Sequence, residues 1–311
     1  MPKPLTIAQL TDVHLGPIRG FTPRYWNLKR LTGYINWQRK RRTAYLRDVL
    51  DRLVADLRQQ APDHIVVTGD LANIGLPQEL IQGLDWLQSL GKPDLVSVIP
   101  GNHDIYGHLR HDSGTSRWAA YMSSNANGAA RIDNSGGELF PYVRLLGQVA
   151  LVGVNSAIVT PPLIAWGEVG TAQRERLGRV LDKLGQAQLF RLVLIHHPPL
   201  PGQAKPARGL RDAAQLENVL TQHGAELVIH GHNHLNSLAW RHSVSGPLPV
   251  VGAPSASLGR PYKHEPLARY NLYRIEGPPW RIELIGRGLA EPGSQVQELE
   301  RRVLALHEPA A

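Results

Sequence analysis

The sequence predicts an α/β fold, and three of its features carry that reading. Up to residue 99, short β-rich apolar runs alternate with stretches of helical periodicity, the pattern of parallel βαβ units. The strongest of these runs stop at turns that present acids, amides or imidazoles at once, most plainly at Val98-Ile99-Pro100-Gly101-Asn102-His103-Asp104. Such clusters recur after five apolar runs, and open α/β sheets bind ligands beyond the carboxyl ends of their strands.

Residues 6–11 read as the first strand and end in Asp12-Val13-His14. In extended chain, residues two apart share a side, so Asp12 and His14 can converge on one ion. Residues 15–42 form a basic, aromatic insertion in which Phe21, Tyr25, Trp26, Tyr34 and Trp37 are mixed with Arg24, Lys29, Arg30 and the run Arg39-Lys40-Arg41-Arg42. Leu28, Leu31 and Ile35 have helical spacing. Three roles fit this segment: an interfacial element on an anionic membrane, a pocket wall that attracts phosphate, or a solvated cap whose aromatic rings pack on the body.

Residues 43–60 predict an amphipathic helix with Leu46, Leu50, Leu53, Val54 and Leu57 on one face. A buried strand over 65–68 runs into Gly69-Asp70, where glycine permits a sharp turn close to a bound ion. A helix over 77–90 and a strand over 95–99 follow. Periodicity is lost over 105–138, which reads as a loop-rich cap. Residues 142–146 and 149–154 suggest a hairpin around Gly147-Gln148, and 171–184 a helix capped by Thr171. The strand over 192–195 ends in His196-His197-Pro198-Pro199. After a helix over 212–223, the strand over 227–229 ends in His230-Gly231-His232-Asn233-His234. The remainder is β-rich and suggests a second, mixed or antiparallel sheet, closed by a terminal helix over 295–306. A single domain spanning 1–311 accommodates all of these elements.

Composition narrows the chemistry. The 311 residues contain no cysteine, so disulfides and thiolate ligands are excluded, and a transition-metal site must draw on His, Asp, Glu and Asn. Half of the 14 histidines fall in the clusters above. The formal charge of +8 is concentrated in one place: residues 15–47 hold nine Lys or Arg and no Asp or Glu. The sequence has no apolar run of bilayer length and no signal-peptide pattern at its start, so the expected location is cytoplasmic, with peripheral membrane contact through the insertion as an addition. No nucleic-acid-binding motif accompanies the basic residues.

Strand ends in one parallel sheet lie side by side, so Asp12, His14, Asp70, Asn102, His103, His196, His230, His232 and His234 should meet at a metal site. A nitrogen and oxygen donor set of this kind suits Mn, Fe, Zn or Co better than Ca. Two divalent ions about 3.5 to 4 Å apart acidify a bridging water and hold a phosphoryl group for in-line attack. The expected reaction is therefore hydrolysis of a phosphate ester by a metal-bridging hydroxide.

The ordered pattern Asp-x-His, Gly-Asp, Gly-Asn-His-Asp, His, Gly-His-x-His over residues 12–234 resembles that of the calcineurin-like metallophosphoesterases. The resemblance implies a four-layer αββα sandwich with two central mixed sheets and the metal site at strand ends. It implies that Asp12, His14 and His234 hold one ion, that Asn102, His196 and His232 hold the other, and that Asp70 bridges them. His103 would face the phosphate as charge stabiliser or leaving-group acid, with Asp104 orienting it, while His197 and His230 would stand behind the ligands. Asn73 and Ile74 replace the Asp-Arg pair of the family's protein phosphatases, and the chain is most similar to the cyclic-nucleotide and glycerophosphodiester branch. The implied function is dimetal phosphodiester hydrolysis. The alternatives are a membrane-surface pyrophosphatase acting on a lipid-linked or nucleotide-sugar substrate of the UDP-diacylglucosamine type, a nuclease, or a non-catalytic scaffold. The complete ligand set argues against the last.

Overall fold

A computed structural model describes residues 4–109, 112–125 and 139–307. In chain order its strands are β1 (Leu5–Leu10), β2 (His64–Val67), β3 (Val96–Val98), β4 (Tyr142–Leu146), β5 (Val149–Gly153), β6 (Phe190–Leu194), β7 (Leu227–His230), β8 (Ser237–Ser243), β9 (Gly246–Gly252), β10 (Arg269–Glu276), β11 (Trp280–Leu289) and β12 (Val296–His307). The helices are α1 (Leu28–Asn36), α2 (Arg42–Ala44), α3 (Arg47–Gln59), α4 (Pro77–Leu90), α5 (Thr171–Gln186) and α6 (Ala213–His223). Two six-stranded sheets result, ordered β12-β11-β10-β1-β2-β3 and β4-β5-β6-β7-β9-β8. Both are mixed. The neighbours β1, β2 and β3 are parallel, as are β5, β6, β7 and β9, whereas β10, β11 and β12 pair antiparallel.

Strand alternation builds the layers. Leu192, Leu194, Leu227 and Ile229 join one core with Ile7, Val66 and Leu272 of the other sheet, and α3 and α4 contribute to that core. Their neighbours Val193, Val228, Val152 and Val250 point the opposite way and pack with α5 and α6. Tyr142 Oη donates to the carbonyl of Val98 at 2.9 Å, tying the sheets together near the end of β3. Both parallel sets therefore deliver their carboxyl ends to one region. The site residues meet there from two facing sheets, not from one parallel sheet as strand order alone suggested. Among the described residues, no helix is long and apolar enough to cross a membrane.

Four local expectations are corrected. The helix expected over 43–60 starts at Arg47, because Tyr45 and Leu46 are extended and bond to another segment: Leu46 N–H donates to Ser257 O at 2.7 Å, and Gly259 N–H to Ala44 O at 2.8 Å. Thr171 is the first helical residue of α5, with Gly170 at the cap position, and Asp212 accepts the N–H groups of Val169 and Gly170. The terminal helix over 295–306 is instead β12, an edge strand antiparallel to β11. Its Glu, Arg, Gln and Leu content favours a helix intrinsically, but a ladder to β11 and the ion pairs Arg269–Glu300 (2.8 Å) and Arg301–Glu283 (3.2 Å) hold it extended. Within the cap expected over 105–138, residues 114–122 form a 3₁₀ helix that buries Trp118, Tyr121 and Met122, while residues 110–111 and 126–138 lie outside the described residues.

The insertion divides by depth. Phe21, Tyr25 and Tyr34 pack beside Ile74, Leu76 and Tyr106, and Trp37 is buried. A π-helical turn, Trp37–Arg41, links α1 to α2 and ends on Arg41 at the site. Such wide turns are frequent at functional sites.

Candidate metal centre

The loops after β1 and β2 run side by side: Asp12 N–H donates to Gly69 O and His14 N–H to Asp70 O, both at 3.0 Å. Asp12, His14, Asp70, His232 and His234 all have positive φ, between 41° and 67°. That region is sterically unfavourable for residues with a Cβ, and its use five times in one place lets nearby side chains turn to a common point. Glycine is required where backbone meets ligand. A Cβ on Gly101 would collide with Asp70 Oδ1, and Gly69, at φ +96°, would bring one within 2.7 Å of His196 Nδ1.

The structure brings together the seven residues expected to ligate metal, and each is at most 4% exposed. Asp12, His14 and His234 form one group of mutually close ligand atoms, and Asp70, His196 and His232 another. Asp70 also groups with His14 and His103, so it is the carboxylate that faces both sides. Asn102 Oδ1 completes the second group, 2.8 Å from His232 Nδ1 and 3.2 Å from His196 Nε2.

Hydrogen bonding behind the ligands sets their tautomers. His14 Nδ1 contacts Ala72 O at 3.1 Å and His196 Nδ1 contacts Thr68 O at 2.7 Å. A carbonyl can only accept, so both Nδ1 atoms carry the proton and both Nε2 lone pairs turn inward. His234 Nδ1 lies 2.7 Å from Glu265 Oε2, which also accepts from Tyr45 Oη at 2.7 Å. The Nε2 atoms of His14 and His234 then face each other at 3.4 Å, and His234 Nε2 lies 3.1 Å from Asp12 Oδ1. With both rings neutral these are acceptors aimed at acceptors, which only a bound cation or an added proton satisfies. Charge makes the same demand. Against the burial that would lower them, Asp70 lifts His196 to about 9, and Asp12 with Glu265 lifts His234 to about 9. Burial first, and Arg41 next, hold His14 well below its usual range. The residues present thus fit two divalent cations in nitrogen and oxygen shells.

His103 stands beside this floor. Its N–H donates to Asp70 Oδ1 at 2.7 Å, its Nδ1 donates to Asn73 O, and its Nε2 lies 3.2 Å from Arg41 Nη1. Burial pushes the imidazole down to about 4 despite the Asp70 carboxylate, and Arg41 lowers it further. It is neutral, and its one lone pair accepts from a guanidinium. The Asp104 side chain is not among its hydrogen-bond partners. The Asp104 carboxylate takes the backbone N–H groups of Asp70, Ala72 and Gly101, each at 2.8 Å, and so knits the loops that carry Asp70 and Asn102; burial and Asp70 push it up to about 7. The partner that orients His103 is the Asn73 carbonyl. His197 turns its ring nitrogens to Ser156 Oγ and Ala165 O, behind the ligands.

Above the floor lies a cleft of about 260 Å³ whose walls include Lys29, Trp37, Arg41, Arg208 and Lys263. Arg208 is held there by donating to His232 O at 3.1 Å. Sequence reasoning missed Glu265 and Tyr45 as supports of His234, and did not separate Arg41 from its basic neighbours. Glu265 sits in a loop without a motif, so no local signal marks it.

Comparison with known proteins agrees with this geometry. A family model described as calcineurin-like phosphoesterase matches residues 5–236. A protein of Synechococcus sp. named a probable cyclic nucleotide phosphodiesterase is 25% identical over 283 residues, covering 90% of this chain and 91% of the relative. A cAMP/cGMP dual specificity phosphodiesterase of Mycobacterium tuberculosis is 28% identical over 201 residues, 62% of this chain and 55% of the relative. Among solved structures, a dimetal phosphatase from Danio rerio superposes with a TM-score of 0.57 at 17% identity, covering 95% of this chain and 98% of that one. A purple acid phosphatase from yellow lupin gives 0.56 at 14% identity, covering 97% and 54%.

Proposed function

We propose, for a chain that belongs to the calcineurin-like phosphoesterase family and is a metal-dependent phosphoric ester hydrolase, that the bond it cleaves is a phosphodiester of a small molecule. The observation that carries the reading is the pair of lone-pair clusters joined by Asp70 on the floor of a cation-walled cleft. The names of the Synechococcus and Mycobacterium relatives support the diester over the monoester.

Asp12, His14 and His234 would hold one ion, Asn102, His196 and His232 the other, and Asp70 both. The nitrogen and oxygen shells favour Mn, Fe, Zn or Co. Divalent ions bound there supply Lewis-acid polarisation of the phosphoryl group and activation of water at neutral pH. The chain's own part is positioning and charge. Arg41 brings a fixed positive charge to the floor of the cleft, where charge grows on the phosphoryl oxygens, and His103 aims it by accepting its N–H. A neutral His103 with both nitrogens engaged is suited to that aiming and not to giving a proton to the leaving group. Lys29, Arg208 and Lys263 on the walls attract an anionic substrate.

The test is a side-by-side panel on the Mn-loaded protein: a cyclic nucleotide, a glycerophosphodiester, a nucleotide-sugar pyrophosphate, single-stranded DNA and a phosphomonoester. The small diesters should exceed the monoester in kcat/KM by about tenfold or more, equivalent to about 1.4 kcal/mol of transition-state preference. Faster hydrolysis of the monoester or the pyrophosphate would overturn the diester assignment.

A further inference from the structure

Helix α1 is inside out. Its cationic residues are buried, Lys29 at 8% and Arg30 at 3% exposure, while Leu28 is 66% exposed, Leu31 42% and Ile35 40%. These three stand at i, i+3 and i+7, one continuous ridge along the helix, and Trp26, 59% exposed, precedes its first member by two residues. The fold fixes this rotation. Lys29 Nζ donates to Thr160 Oγ1 at 2.8 Å and lies 4.4 Å over the Tyr106 ring, and the Arg30 guanidinium donates to the carbonyls of Ile74 and Gly75 at 3.2 Å. At Gly33 the helix approaches Tyr106 and Ile74 so closely that a Cβ would meet both. The helix cannot roll to hide its leucines without breaking these contacts.

Single exposed apolar side chains are ordinary, but a ridge of three beside a binding cleft, with an exposed tryptophan just before it in the chain, marks a surface that is covered in use. Its surroundings identify the cover. Exposed Arg24, Arg39, Lys40 and Arg42 border the ridge along the chain, and no acid occurs between Asp12 and Asp48. A second copy would press the same positive charges together. An apolar ridge with a tryptophan just before it in the chain and a cationic border suits instead an anionic lipid surface, where the side chains enter the headgroup boundary and the cations meet lipid phosphates. The same helix lines the cleft through Thr32, Gly33 and Asn36, and Leu163, 86% exposed, lines that cleft as well.

We propose that Trp26, Leu28, Leu31 and Ile35 seat the protein on an anionic bilayer, with the metal-bearing cleft opening beside the membrane surface. This contact does not depend on which phosphate ester is cleaved, so its test reads binding and activity separately. The Mn-loaded full chain is sedimented with vesicles of phosphatidylcholine alone and with vesicles that also contain phosphatidylglycerol, at low and high salt. The parent should bind the anionic vesicles, release at high salt, and ignore the neutral ones. Leu28→Gln/Leu31→Gln/Ile35→Gln should lower vesicle binding by about tenfold or more while turnover of bis(p-nitrophenyl) phosphate stays at the parent level. Arg39→Gln/Lys40→Gln, which leaves the ridge intact, should do the same through charge. Parent protein that does not bind anionic vesicles, or variants that bind as well as the parent, would overturn the proposal. So would a parent dimer that the ridge variant converts to monomer, since the ridge would then be a subunit interface.

Discussion

Arg41 places Nη1 3.2 Å from His103 Nε2, so a residue of the basic insertion and a residue of the Gly-Asn-His-Asp turn act as one unit at the floor of the cleft. Arg41 is therefore distinct in role from exposed Arg39, Lys40 and Arg42, its neighbours in the same basic run. Arg41→Gln is expected to lower kcat for a soluble diester by about 10²- to 10³-fold, the usual cost of losing one transition-state charge partner. Metal content, measured by elemental analysis, should stay at the parent level. His103→Ala should follow it in direction, and both variants should lose the same factor with good and poor leaving groups. A much smaller loss with a good leaving group would restore His103 as the proton donor.

Glu265 ties His234 to Tyr45, with both contacts at 2.7 Å. Carboxylates behind metal-bound imidazoles fix ring orientation and raise ligand basicity, and their loss weakens metal affinity by about 10- to 100-fold. Glu265→Gln should reproduce that range in a competitive chelator titration, in the affinity of one of the two ions, while the other is held as in the parent. Tyr45→Phe, which leaves the carboxylate on His234, should cost less. Unchanged affinity in Glu265→Gln would remove the residue from the metal centre.

Away from the centre, His64 at the start of β2 is 1% exposed, and its Nε2 lies 2.8 Å from Ser97 Oγ. Burial, reinforced by Arg144, pushes it down to about 4. The unfolded chain titrates this group near 6.5 and so binds more protons between pH 6.5 and 4. The stability that neutral His64 contributes is complete above that window and declines as pH falls through it. Relative to the parent, His64→Gln should gain in urea midpoint as pH is lowered from 6.5 to 4 and hold a constant difference above 7. A pH-independent difference would contradict the buried neutral state.

Much of this molecule is legible in its sequence because ligand spacing and strand ends are local. Asp12 and His14, or His232 and His234, lie two apart, and a buried strand before each cluster locates it at a sheet end. Asp70 and Asn102 follow glycines that their backbone environment requires. What the sequence does not disclose is long-range. Glu265 reaches His234 through a loop 31 residues away, and Tyr45 reaches it across 189 residues. The left-handed backbone at five ligands is imposed by their convergence and contradicts local preference. Segment 295–306 misleads for a related reason: its composition suits a helix, while an open edge on β11 and the cation of Arg269 select a strand. The inward lysine and outward leucines of α1 invert the usual reading of amphipathic spacing, so the apolar positions mark a surface where a core would be expected.

The most direct test of the account is a metal titration of chelator-stripped protein, following hydrolysis of a soluble phosphodiester as Mn is added. Two clusters joined by Asp70 predict no turnover in the stripped protein and a rise that saturates at two ions per chain. They also predict that Asp70→Ala, which removes the shared ligand, retains neither the ions nor the activity. Full turnover without metal, saturation at one ion, or near-normal metal content in Asp70→Ala would contradict it.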